Sequence, residues 1–212
     1  MARDMNGFFQ EPAHLEYLVQ RALPELIRSY GYGVGKKLTV WIAGCLRGEE
    51  PYTLAMVLSE FSRRYPGIGF DFLILASDAS EEVLEAAQRG IYTEEDAKPV
   101  PLPFKKKYLM RSKDRTRKLV RIVPELRETV KFRRMPLTEG PLRFRETLDV
   151  IFCRDVFCHI DRQSCSDLLH RIYDHLSPGG YVFMGDSIDP CDIDVPLVLV
   201  AQRIYRKTED VR

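Results

Sequence analysis

The sequence predicts an α/β chain, built as a doubly wound, three-layer parallel sheet with a small antiparallel β-subdomain inserted into it. Residues 40–43 form an unbroken apolar run that reads as a strand covered on both faces, because it lacks the alternation of a half-exposed strand, and residues 70–77 and 148–153 read as further buried strands. Segments of helical period separate them. A polar stretch, SKDRTRK, lies between two short strand-like runs and breaks this βα rhythm. At 212 residues, with 45% hydrophobic and 30% charged positions, the chain has room for one sizeable core. It reads as a single domain, 1–212, with a lead-in and helix over 1–36 and an inserted basic hairpin over 104–127.

The elements follow in order. Val40, Trp41, Ile42 and Ala43 form the first buried strand. Gly44 and Gly48 then bracket a turn, and Pro51 fits the first turn of a helix continued by Leu54, Ala55, Val57, Leu58 and Phe61. The second strand ends at Asp78, and Ser80 caps an acidic-started helix over 81–89. Residues 107–111 and 119–123 are the arms of the hairpin. Residues 130–135 form a short strand, 148–153 a buried one, and 162–176 an amphipathic helix stopped by SPGGY. The strand 181–185 follows, and then a final antiparallel pair over 197–201 and 202–206.

The first loop carries the chemistry. A strand feeding a Gly-bearing turn into a helix is where open α/β sheets bind nucleotide-like ligands. A phosphate cradle wants several glycines and often a lysine. Glu49 and Glu50 stand here instead, repelling a pyrophosphate but suiting a cationic amine, a sulfonium or ribose hydroxyls. That favours S-adenosylmethionine over a dinucleotide, and the same GEEP also suits a plain acidic first turn that complements the helix dipole. Asp78, at the end of the second strand, stands where a bidentate ribose acceptor sits in this architecture, or serves only as a helix-entry residue.

Charge is uneven along the chain. The formal net charge is +1, yet residues 104–134 hold thirteen Lys/Arg against three acids, a local +10. Such a segment is a solvated face or a surface that steers an anionic partner. No aromatic interleaving or groove-reading motif accompanies it, which argues against nucleic acid. Five cysteines at irregular spacing suit reduced thiols, and Cys153, Cys158, His159 and Cys165 fit no common zinc pattern, so no metal is expected. The absence of a long apolar run or a signal-peptide pattern predicts a cytoplasmic protein with no membrane insertion.

The blocks WIAGCLRGEEPYTLAMVLSE, ILASDASEEVLEAAQRGIY and LDVIFCRDVFCHID, with NGFFQE before them, resemble the chemotaxis-receptor methyltransferase (CheR) family. That resemblance covers nearly the whole chain. It implies a Rossmann-like methyltransferase sheet, S-adenosyl-L-methionine as cofactor and methyl transfer to receptor glutamates. It matches the family's C-terminal cofactor-binding domain without the small N-terminal helical domain. Carried over position by position, it places Asn6, Gly44, Glu49, Glu50, Asp78, Leu137, Arg154 and Asp155 around the cofactor and puts Gln10 and His159 beside the transferring methyl. The inserted subdomain would take a chemoreceptor or another signalling protein as partner, in some members by adding the receptor's C-terminal peptide as a strand. A hairpin that only protects the sheet edge is the other reading.

Several positions depart from the family pattern. Gln10 replaces an arginine, Asn6 a threonine, Pro136 and Asp155 asparagines, His159 a tyrosine, and Leu46-Arg47 a Ser-Thr pair. Gln10 removes a cation able to hold an acceptor carboxylate, and an amide does not replace a bidentate guanidinium. Pro136 has no N–H to donate, and Asp155 accepts but does not donate as asparagine does. His159 can replace the tyrosine's hydrogen bond or titrate near neutral pH, or it is simply structural. Methyl transfer to a carboxylate needs proximity and desolvation more than a general base. The expected function is therefore a protein-glutamate O-methyltransferase of the chemoreceptor type, with a catalytically reduced, partner-binding signalling module as the alternative.

Overall fold

The computed structural model describes residues 7–137, 140–154, 156–185 and 195–208. Its main sheet has seven strands: β1 (Leu38–Ala43), β2 (Phe72–Asp78), β6 (Val130–Arg134), β7 (Leu148–Cys153), β8 (Leu176–Met184), β9 (Leu197–Ala201) and β10 (Ile204–Lys207). Their spatial order is β6-β2-β1-β7-β8-β10-β9. The first five pair in parallel, and β10 and β9 close one edge as an antiparallel pair, as expected from the sequence. β1 and β7 sit centrally and are buried at every position, which explains their largely apolar runs, broken by Thr39 and Asp149.

Helices cover the two faces unequally. α2 (Leu23–Tyr30), α3 (Glu49–Arg64) and α4 (Glu81–Arg89) pack on one face, against Val40, Ile42, Ile74, Val150, Phe152 and Phe183. α7 (Arg162–His175) packs on the other, against Trp41, Ile151, Cys153, Val182 and Met184. α4 starts at the Ser80 cap, whose side chain accepts from Val83 N, and α7 at Asp161, which accepts from Gln163 N and Ser164 N.

The lead-in forms a short helix α1 (Pro12–Tyr17), a π turn (Leu18–Ala22) and then α2. Pro24 brings no N–H to the Gln20 carbonyl four residues back, so the ladder rearranges through the wider turn.

The inserted subdomain is larger than the predicted 104–127 hairpin. β4 (Leu109–Arg111) and β5 (Leu119–Ile122) pair antiparallel across the predicted turn, and β3 (Ile91–Thr93) joins β5 as a third strand. Residues 107 and 108, expected as the start of the first arm, lie instead with 104–106 in helix α5 (Leu102–Tyr108), and α6 (Pro124–Glu128) follows β5. Three-residue strands are too short to show a period, so Ile91–Thr93 carried no signal of its own.

SPGG differs as well. It is not a loop after the helix but the start of β8, whose register with β7 shifts between Leu148 and Val150. Gly179 makes that irregularity possible: its φ is 69°, and a Cβ there would collide with the Tyr30 ring.

Candidate active site

The candidate site is assembled at the C-terminal ends of β1, β2, β6 and β7. After Ala43 the chain turns at Gly44 (φ 73°), and the N–H groups of Gly44 and Cys45 both donate to Ser77 O at 2.9 Å. A Cβ on Gly44 would lie 3.0 Å from Val156, so the loop closely approaches the 3-10 turn Val156–His159. Burial pushes the Cys45 thiol far up, which leaves it protonated and inert.

Asp78 is held from three directions. Its Oδ2 accepts from Leu46 N at 3.1 Å, its Oδ1 from Ser80 N at 3.0 Å, and its carbonyl from Met135 N at 2.9 Å. A carboxylate oxygen accepts along two lone pairs, so each keeps capacity for one more donor. The half-buried carboxylate is thus positioned and only partly satisfied.

The two loop glutamates separate. Glu49 is 7% exposed and turns toward Arg47, whose Nε lies 3.6 Å from Glu49 Oε1 while Nη2 pairs with Asp96 at 3.1 Å. Burial raises the Glu49 carboxyl above its ordinary value, partly opposed by a backbone hydrogen bond and by Arg47. Glu50 turns the other way. Its Oε1 lies 2.6 Å from Nε of Arg154, which follows β7 and is 8% exposed, in an ion pair without hydrogen-bond alignment.

The N-terminal segment closes over this pair. Phe8 is fully buried edge-on to Tyr92, and Phe9 sits edge-on to Phe104. Phe9 N donates to Thr53 Oγ1 at 3.1 Å, and that hydroxyl donates to Glu49 O at 2.8 Å. Gln10 thereby reaches a small cavity shared with His14, Thr53, Glu50 and Arg154. Phe9, Glu11 and Leu46 all hold left-handed φ values of 55°, 50° and 46°, backbone strain of the kind that gathers at functional sites.

Of the residues singled out from sequence, Gln10, Glu50 and Arg154 meet in one cavity. Gly44 and Asp78 lie in the adjoining loops, whereas Glu49 is not among that cavity's lining residues. Leu137 follows β6, and its carbonyl accepts from Arg171 Nη2 at 2.7 Å. His159 ends the 3-10 turn after β7, and its side chain lies outside the described set. Asn6 and Asp155 lie outside the described residues. Thr53 and His14 were not anticipated as parts of the site. The Phe9–Thr53 bond spans 44 positions and leaves no local trace in the sequence.

Residues 4–189 match the family described as CheR methyltransferase, SAM binding domain. The chain belongs to that family. A chemotaxis protein methyltransferase of Borreliella burgdorferi is 33% identical over 180 residues, covering 85% of this chain and 62% of the relative. Chemotaxis protein methyltransferase 2 of Pseudomonas aeruginosa is 33% identical over 188 residues, covering 88% and 64%. The Escherichia coli chemotaxis protein methyltransferase is 31% identical over 210 residues, covering 99% and 69%. This CheR-family chain therefore spans less than two thirds of the length of the first two relatives. No helix among its described residues is long and apolar enough to cross a membrane.

Proposed function

We propose that this CheR-family chain is a cytoplasmic S-adenosyl-L-methionine-dependent O-methyltransferase acting on glutamate side chains of a chemoreceptor or a related signalling protein. The observation that carries the reading is the buried Glu50–Arg154 pair beside the Asp78 loop. The methionine end of the cofactor is a zwitterion, and a carboxylate beside a guanidinium offers a partner for its ammonium and its carboxylate. Asp78 has acceptor capacity left for two ribose hydroxyls. The donor set thus fits the cofactor. Gly44 keeps the loop backbone open to its approach and Leu137 supplies an apolar wall, with Asn6 and Asp155 as further expected neighbours, whereas Glu49 is turned to Arg47. When bound, the cofactor supplies an electrophilic methyl group on a sulfonium.

The chain's own residues then have limited tasks. Phe8 and Phe9 anchor the lead-in, Thr53 ties it to α3, and Gln10 faces the space where an acceptor carboxylate must shed its water. His159 stands by as a hydrogen-bond donor to the acceptor. No proton is lost by the attacking carboxylate, so the site needs no strong base. Calorimetric titration with S-adenosylhomocysteine tests the cofactor half of the reading, and absence of binding would overturn it.

Gln10 governs the rate. A neutral amide holds an acceptor carboxylate less firmly than a guanidinium, so transfer to glutamate peptides should be slow with cofactor bound. Gln10→Arg is expected to raise the methylation rate about tenfold or more while leaving S-adenosylhomocysteine affinity nearly unchanged. Fast glutamate methylation by the unmodified chain would remove the role given to Gln10. No transfer in either form would favour the partner-binding module.

The basic subdomain supplies the partner surface. Some of its cations are already paired, Lys107 with Glu60, Arg111 with Glu94 and Arg117 with Asp114, yet these pairs are exposed and hold their partners weakly. An acidic receptor segment is steered by the remaining excess. Association with it should slow as ionic strength rises, and reversing Lys113, Arg115 and Arg117 to Glu should reproduce the high-salt rate. Stopped-flow association insensitive to both changes would leave the segment as a solvated face.

A further inference from the structure

Three of the sheet's four parallel connections carry a helix packed on the sheet, and the connection from β6 to β7 is the exception. Among its described residues, 135–137 and 140–147, there is no helix. The loop is drawn aside toward α7: Arg171 donates to the carbonyls of Gly140 (2.5 Å) and Leu137 (2.7 Å), and His175 Nε2 lies 3.0 Å from Leu142 O. Phe144 reaches back, edge-on to Trp41 at 4.9 Å. A groove of about 410 Å³ is left open over β1, β2 and β6.

The groove has two chemically different sides. Register places Trp41, Leu75 and Lys131 in one row across the sheet, and Ala43, Ser77 and Arg133 in the next. Half-buried Leu73, Leu75 and Phe144 form an apolar floor over the already buried Trp41 and Met135, and Lys131, Arg133 and Arg145 form a cationic rim. All three cations are exposed, and among the described residues none is paired with a carboxylate; Arg133 donates to Arg143 O at 2.8 Å. Among the described residues, Glu146 is the one acid at that rim.

We infer that this groove is a docking site for an acidic amphipathic helix of a partner protein. The strip from β1 to β6 spans two interstrand spacings, about 10 Å, which is the width of one helix with its side chains. Parallel sheets are ordinarily covered by helices on both faces, so an apolar ridge completes a layer the chain itself leaves incomplete. Carboxylates flanking that ridge on one side meet Lys131, Arg133 and Arg145. The apolar floor gives the affinity, and the rim gives the polarity of docking.

The test uses a fluorescein-labelled peptide of about 14 residues, matching the length of a six-residue strand, with a Leu ridge at helical spacing and Glu flanks. Anisotropy titration against the full chain needs no cofactor, so its failure is separate from failure of the methyltransferase reading. The Glu-flanked peptide should bind, and forms with Lys flanks or a Ser ridge should bind about tenfold more weakly or worse. Combined Lys131→Glu, Arg133→Glu and Arg145→Glu, all at exposed positions, should lower affinity for the Glu-flanked peptide by a similar factor and raise it for the Lys-flanked one. Equal binding of both flanking types, or unchanged affinity after charge reversal, would overturn the inference. Binding of dodecanoate but no peptide would reassign the groove to a small amphiphile, and closure of the groove by self-association in sedimentation would reassign it to a second copy of this chain.

Discussion

Replacing Asp78 by alanine is expected to cost about 2–4 kcal/mol of S-adenosylhomocysteine binding, roughly thirtyfold and upward in affinity, because two hydrogen bonds to a charged acceptor are lost. Part of the loss arises in the protein itself. The same carboxylate accepts from Leu46 N and Ser80 N, so its removal also frees the Gly44–Gly48 turn and the entry to α4. Asp78→Asn separates the two contributions: it keeps one acceptor oxygen and the loop anchor but surrenders the charge and half of the acceptor capacity. Calorimetry should rank wild type above Asp78→Asn and Asp78→Asn above Asp78→Ala. Equal affinity of a folded Asp78→Ala protein would remove Asp78 from the cofactor site.

Breaking the Glu50–Arg154 pair should act on folding and on binding together. Glu50→Ala leaves a guanidinium at 8% exposure without its carboxylate, and removing one partner of a buried pair costs about 3–5 kcal/mol. The expected result is a clear fall in the urea midpoint together with loss of cofactor binding. Replacing both residues, Glu50→Gln with Arg154→Met, should recover most of the stability and none of the binding, because the uncompensated charge is gone while the zwitterion's partners stay absent. A Glu50→Ala variant with wild-type stability would show that water already compensates Arg154, and recovered binding in the double variant would overturn the role of the pair.

The central architecture was legible because burial on both faces writes largely apolar runs into β1 and β7, and because Ser80 and the acidic turn after it mark α4. The small elements were not. β3 is three residues long, α5 begins at two prolines and runs into β4 without a stop signal, and SPGG, with its helix-terminating composition, continues as an irregular strand. At the site, positions fixed by strand ends were readable: Gly44, Asp78 and Arg154 each lie immediately beyond or at the end of a parallel strand. Side-chain direction within the first turn of α3 was not. Neighbouring helical positions point about 100° apart, so Glu49 and Glu50 diverge, one to Arg47 and the other to Arg154.

The Thr53 hydroxyl accepts from the Phe9 amide and donates to the Glu49 carbonyl, in the first turn of the helix that also carries Glu50. Opening of the lead-in and loosening of the cofactor loop are therefore one event rather than two, and whatever is gained at Glu50 on ligand binding also holds the Phe9 amide shut. Solvent exchange at that single amide acts as a remote gauge of site occupancy, slowing in proportion to the free energy with which the loop is held.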